Sequence, residues 1–220
     1  PISNQVAYVK DNNVFVEDLD SKKTLQLSTN GKKNEIINGM SDWVYEEEFA
    51  FTKAFEWSAD GRFVAFYEFN EADVKEFSMT TYGGELYPEE YRFKYPKAGE
   101  DNSNVKVFIY DVSRESKVPV ELGEREDIYI PRIKWTQDAT TLSVQRMNRL
   151  QNRLELLFAD AVTGKTRVVI KESAETYIDI TDDLTFLEDG EFIWSSEKDG
   201  YNHLYMYDAA GNEKVQLTAG

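Results

Sequence analysis

Apolar residues alternate with polar ones along most of the chain, and the repeat is two rather than 3.6. Val6-Ala7-Tyr8-Val9 and Val14-Phe15-Val16 flank Asp11-Asn12 and predict a hairpin, and Thr24-Leu25-Gln26-Leu27-Ser28 predicts a third strand. The pattern opens at Pro1-Ile2-Ser3-Asn4, already strand-like. Arg62–Tyr67, Val105–Asp111, Phe192–Trp194 and His203–Asp208 are further strands, several preceded by Asp-Gly turns. Aromatic and β-branched residues dominate them, as pleated half-buried surfaces favour. One stretch is ambiguous: Met147, Leu150, Leu154 and Leu157 have helical spacing, with Arg146, Arg149 and Arg153 between them. The surrounding pattern favours two strands joined near Asn148–Asn152, with the arginines solvated or ion-paired.

A repeat selects among all-β architectures. Trp57-Ser58-Ala59-Asp60-Gly61, Trp135-Thr136-Gln137-Asp138 and Phe186-Leu187-Glu188-Asp189-Gly190 each precede a strand. Each unit later closes on a strand ending in aspartate: Asp111, Asp160 and Asp208, with Asp18 the counterpart in the first unit. Steps of about 50 residues with about four strands each match propeller blades. The predicted fold is all-β: about four four-stranded antiparallel blades of a larger ring, at roughly 1–55, 56–130, 131–183 and 184–220. The second unit is longer by roughly 25 residues, an insertion placed at 76–101. It contains Tyr82, Leu86, Tyr87, Tyr91, Phe93 and Tyr95, an apolar and mostly aromatic set that fits either a contact surface or a hairpin folded onto its own blade.

Lys plus Arg is 25 against 41 Asp plus Glu, for a net charge of −16. That balance argues against nucleic-acid or anionic-membrane partners, which need cations to neutralise phosphate. With no cysteine and one histidine, disulfides, thiol catalysis and Cys- or His-rich metal centres are excluded. Asp179, Asp182 and Asp183 lack the spacing of a calcium loop and read as a turn, so no metal or cofactor is expected. His203 lies in a strand pattern and reads as structural. No G-x-S-x-G elbow is present. No apolar run approaches the ~18 residues of a membrane helix. The opening, without Met or leader, reads as that of a piece of a longer protein.

Asp42-Trp43-Val44-Tyr45-Glu46-Glu47-Glu48-Phe49 stands apart. Three adjacent glutamates lie where the two-residue period stops, among aromatics. The bland reading is a solvated turn. If the run is partly buried, its carboxylates repel unless a cation is supplied, and a bound ammonium would supply it. This segment resembles the glutamate motif of the dipeptidyl peptidase IV family of serine exopeptidases. Tyr95-Pro96-Lys97-Ala98-Gly99 and Trp194–Tyr205 are similar to the same family's propeller, and the resemblance extends over essentially the whole chain.

The resemblance implies an eight-bladed propeller joined to an α/β-hydrolase domain that carries the catalytic residues and lies outside this sequence. It implies removal of Xaa-Pro or Xaa-Ala dipeptides from peptide N-termini. Glu47 and Glu48 would bind the substrate's α-ammonium, with Asp42, Trp43, Tyr45 and Glu46 shaping a short helix beneath them. The insertion would be an arm of a homodimer, and the location exported, periplasmic or cell-surface. A tripeptidyl enzyme of the same family and a non-enzymatic acidic binding scaffold remain alternatives.

Overall fold

The computed structural model describes residues 4–220, so the strand pattern read over Pro1–Ser3 lies outside the described residues. Among the described residues, eighteen strands and one short helix follow each other.

The first sheet has the order β1 (Gln5–Lys10), β2 (Asn13–Asp18) and β3 (Thr24–Gln26). Lys10 pairs with Asn13 across a two-residue turn. Asp11 and Asn12 there have φ of 49° and 58°. Two positive φ values in succession make the tight turn whose twist matches the strands, and Asp and Asn tolerate it best after glycine. Then come β4 (Ile36–Asn38), α1 (Trp43–Phe49), β5 (Phe55–Trp57) and β6 (Phe63–Asn70). The predicted insertion is a two-stranded ribbon, β7 (Glu76–Thr81) and β8 (Glu89–Lys94). It leads into β9 (Asn104–Asp111) and β10 (Ser116–Pro119), and the second sheet runs β10-β9-β6-β4 with β5 also on β6.

Two four-stranded sheets complete the chain. One runs in sequence order through β11 (Ile128–Trp135), β12 (Thr141–Asn148), β13 (Arg153–Asp160) and β14 (Thr166–Ser173). The other comprises β15 (Thr185–Phe186), β16 (Phe192–Ser196), β17 (His203–Tyr207) and β18 (Glu213–Gln216). The fold is therefore all-β apart from one helix of seven residues. The expected four-strand count holds in these last two sheets, whereas the first two have three and five strands. The difference arises because β4, which falls within the 1–55 bounds of the first unit, pairs with β6 of the second. The ambiguous arginine segment is two strands: Met147, Leu154 and Leu157 are buried, but Leu150, which a helix would bury with them, sits in the turn 75% exposed.

The repeated aspartates are turn caps. The carboxylates of Asp18, Asp111, Asp160 and Asp208 each accept backbone N–H bonds from residues just past their strand, at Ser21, Ser113 and Arg114, Val162 and Thr163, and Ala210 and Asn212. A second series, Asp60, Asp138 and Asp189, each accepts from the N–H two residues on. A short carboxylate thereby satisfies backbone donors that leave the ladder, which explains why the repeat is written in aspartates.

The described chain divides into two compact units. In one, residues 4–55 and 66–106, the core gathers Val14, Val16, Tyr45, Phe49, Phe66, Tyr67 and Phe69. In the other, residues 56–65 and 107–220, it gathers Val107, Ile109, Ile130, Leu142, Val144, Leu156, Phe158, Phe192 and Trp194. In the latter unit a Cβ at Gly164, whose φ is +74°, would come within 1.9 Å of the Pro119 carbonyl oxygen, so only glycine fits.

Candidate functional site: an acidic helix on an aromatic base

Helix α1 forms because its ends are capped. Asp42, extended at φ −81° and ψ −179°, accepts the Tyr45 N–H through Oδ1 at 2.9 Å, and Ala50 closes the helix in the left-handed region. Glu46 in the first turn faces the positive end of the helix dipole. Tyr45 and Phe49, one turn apart, are buried. Around Tyr45 lie Phe69 at 4.6 Å, Phe49 at 5.1 Å, Phe51 at 5.7 Å and Tyr67 at 6.3 Å between ring centroids. Such tilted and edge contacts are favourable for aromatic pairs and hold the helix in one orientation.

Burying positions 45 and 49 leaves the intervening positions facing away. Glu46, Glu47 and Glu48 are all exposed. The condition of partial burial is therefore not met by this run, which is solvated as in the bland reading: in a helix this short, aromatics one turn apart take the buried face, and the residues between them take the solvent face. What the arrangement offers is a row of adjacent carboxylates on a firmly seated helix.

Beneath the helix are groups the sequence pattern did not single out. Asp42 is buried, and Ser103 Oγ donates to its Oδ2. Burial pushes the Asp42 carboxyl up, against its bonds from Ser103 and Tyr45. Glu71 is only 7% exposed. Its burial, then the charge of Asp42, raise it to about 7, against the pull of Lys94. Lys94 Nζ donates to the carbonyls of Ala72 and Val74 at 3.0 and 2.8 Å. In sequence Glu71 and Ser103 look like ordinary polar residues at the two ends of the insertion, and no periodicity marks them.

The foot of the ribbon meets the motif: Tyr95 lies 4.2 Å from Trp43 between ring centroids. Phe93 and Tyr95 are half-buried there and pack with Phe77. The outer residues are open to solvent, Leu86 at 95% and Tyr87 at 81%, with Tyr82 and Tyr91 also exposed. Elsewhere, Asp182 of the Asp-Ile-Thr-Asp-Asp segment pairs with Arg132 at 2.6 Å. His203, on β17, has its Nδ1 3.2 Å from Thr218 Oγ1. Arg146 pairs with Glu155, and Arg149 with Asp127 at 3.4 Å.

Repeating antiparallel sheets and a capped acidic helix define the class as a β-propeller-like chain with a candidate cation-binding helix. Over residues 1–220 it matches the family described as dipeptidyl peptidase IV (DPP IV) N-terminal region, and it belongs to that family. It is 32% identical over 239 aligned residues to prolyl endopeptidase FAP of Homo sapiens, which covers 100% of this chain and 31% of that protein. It is 31% identical to dipeptidyl aminopeptidase B of Saccharomyces cerevisiae, covering 100% of this chain and 29% of that one. The crystal structure of Porphyromonas gingivalis dipeptidyl peptidase 4 is similar with a TM-score of 0.94 at 40% identity, over 99% of this chain and 31% of that chain. The chain thus spans about a third of the length of these relatives.

Proposed function

We propose that this chain is the substrate-recognition part of a dipeptidyl peptidase IV-like serine exopeptidase, in which Glu47 and Glu48 bind the α-ammonium of a peptide. The observation that carries the reading is the presentation of these adjacent carboxylates on a capped helix seated by Tyr45 and Phe49. An ammonium has three N–H donors and no acceptor, and two fixed carboxylates meet it with charge-assisted hydrogen bonds. At ~4 Å each such pair is worth about 1 kcal/mol in bulk water and about 4 kcal/mol at an effective dielectric near 20. Closure of the site around a peptide moves it from the first value toward the second.

The selectivity follows from the charge. A free N-terminus is held at a set distance from a serine nucleophile on a separate hydrolase domain, and that distance sets product length at two residues, Xaa-Pro or Xaa-Ala. An acylated N-terminus brings no charge and is refused. The intact ring of eight blades, the exported location and a homodimer built through the β7–β8 ribbon belong to the same proposal. For the described residues, no helix is long and apolar enough to cross a membrane.

The test compares cleavage of a Gly-Pro chromogenic amide, free or N-acetylated, by the intact protein and its Glu47→Gln and Glu48→Gln variants. Glutamine keeps helix propensity and shape while removing the charge. The expected result is rejection of the acetylated substrate and a loss of roughly 1–3 kcal/mol in kcat/KM for either variant. Equal cleavage of both substrates would overturn the exopeptidase reading in favour of internal cleavage. An inactive wild type would favour a binding scaffold.

A further inference from the structure

A second polar site lies in the unit of residues 56–65 and 107–220. Strands β11 and β12 pair Arg132 with Gln145 and Lys134 with Ser143, so these four side chains occupy one face of the sheet. Together with Thr181 and Asp182 they line a cavity of about 480 Å³. Its floor is built: Ser143 Oγ donates to the Lys134 carbonyl at 2.6 Å, and Thr181 Oγ1 shares a hydrogen bond with Ser195 Oγ at 2.7 Å.

Two groups in this cavity are incompletely matched. Gln145 is 3% exposed, and its Oε1 is buried without a hydrogen-bond partner among the described residues. Buried amide groups are almost always paired, and leaving one unpaired costs stability. Lys134 is exposed, and its Nζ donates to the neutral carbonyl of Leu184 at 2.5 Å. Among the described residues Lys134 makes no ion pair that replaces this bond, although its charge acts on the Asp182 carboxyl across the cavity. Arg132, by contrast, is engaged by Asp182 and by its bond to the Pro131 carbonyl.

Glu56 also lines the cavity, so its formal charges, two positive and two negative, balance. A simple anion gains little from such a site. A ligand that brings an anionic group for Lys134 and an N–H for Gln145 satisfies both open valences at once. Lys134 and Gln145 are diagonal cross-strand neighbours, a backbone separation of about 7–8 Å that the long lysine stem can shorten. A free peptide C-terminus has this chemistry, since its carboxylate and the amide N–H of the same residue are adjacent. A half-turn of the Gln145 amide exchanges its oxygen for its NH2, which lets it meet the carboxylate as well.

We infer that the cavity bounded by Arg132, Lys134, Gln145 and Thr181 binds the free C-terminus of a peptide, with Lys134 taking the carboxylate and Gln145 the last amide group. It uses none of the residues of the acidic helix, so the two sites are separable by experiment.

The probe is N-acetyl-alanyl-alanine, whose blocked N-terminus gives Glu47 and Glu48 no ammonium to hold. Its C-terminal amide is the control. Calorimetry on the intact protein is expected to show the acid binding at least about tenfold more tightly than the amide. Lys134→Met, at an exposed position, and Gln145→Met, close in volume, are each expected to weaken the acid by about tenfold while the melting temperature is kept. Their cleavage of a short Gly-Pro chromogenic amide, which has no C-terminal carboxylate, stays at the wild-type level. Equal affinity for acid and amide, unchanged affinity in both variants, or no binding of the acid at millimolar concentration overturns the inference.

Discussion

Individual carboxylates in this chain respond to acid in opposite directions. Asp111 is buried, which pushes its carboxyl up, but bonds from Arg62, at 2.6 Å, and from Ser113 outweigh that and bring it to about 2. Its folded value lies below its unfolded one, so the stability it supplies is present above about pH 4 and is lost as pH falls toward 2. Glu71 has the reverse sign. Raised to about 7, it favours the folded state most below the unfolded value near 4.5, and stability falls as pH rises through 7. The span corresponds to a cost of up to about 3 kcal/mol at alkaline pH. Glu71→Gln is therefore expected to raise stability at pH 8 and flatten its pH dependence between 5 and 7. Urea denaturation at pH 5 and pH 8 checks this, and an unchanged pH difference in the variant would show that Glu71 ionises freely.

At the level of elements, the helix depends on its cap more than on its propensity, since seven residues cannot sustain a helix alone. Asp42→Asn keeps an equally good cap and removes a buried charge, so stability is expected to hold or rise. Asp42→Ala removes the cap and strands Ser103, at an expected cost of about 1–2 kcal/mol. The two variants, compared by thermal unfolding, separate capping from charge. A matching loss in both would mean the charge itself is required. The repeat aspartates act by the same chemistry on turns. Their carboxyls at Asp18, Asp160 and Asp208 lie below the usual range, chiefly through bonds from Ser21, Thr163 and Asn212. That is why aspartate recurs at these positions while the flanking residues vary.

For the whole molecule, the exposed outer end of the ribbon is the feature a soluble monomer explains least. Leu86, Tyr87, Tyr82 and Tyr91 are open while the foot is packed. Large exposed apolar groups clustered in one place mark contact surfaces. A double substitution, Leu86→Asp with Tyr87→Ser, is expected to halve the mass of the intact protein measured by light scattering after size exclusion, with the fold kept. An unchanged dimer would place the interface elsewhere, and a monomeric wild type would overturn the arm. The same separation of roles makes Tyr95 a poor test residue, because it also stacks on Trp43.

Local pattern alone carried much of the architecture. The two-residue period marked the strands, Asp11-Asn12 marked the first turn, and the aspartate repeat marked sheets of similar build, because each depends on neighbours a few residues apart. The short helix at Trp43–Phe49 was legible only through the family resemblance, since its residues alone read as a solvated turn and its Asp42 cap was not marked. Tertiary structure decided what depends on residues far apart in sequence. It paired β4 with β6 instead of with the first sheet. It exposed Glu46, Glu47 and Glu48 by giving the buried face to Tyr45 and Phe49, and it set Glu71 and Ser103 beside Asp42. It also buried Gln145 without a partner beside Lys134. Burial and long-range pairing set the energy of a polar group through its surroundings, and a linear pattern does not contain those surroundings.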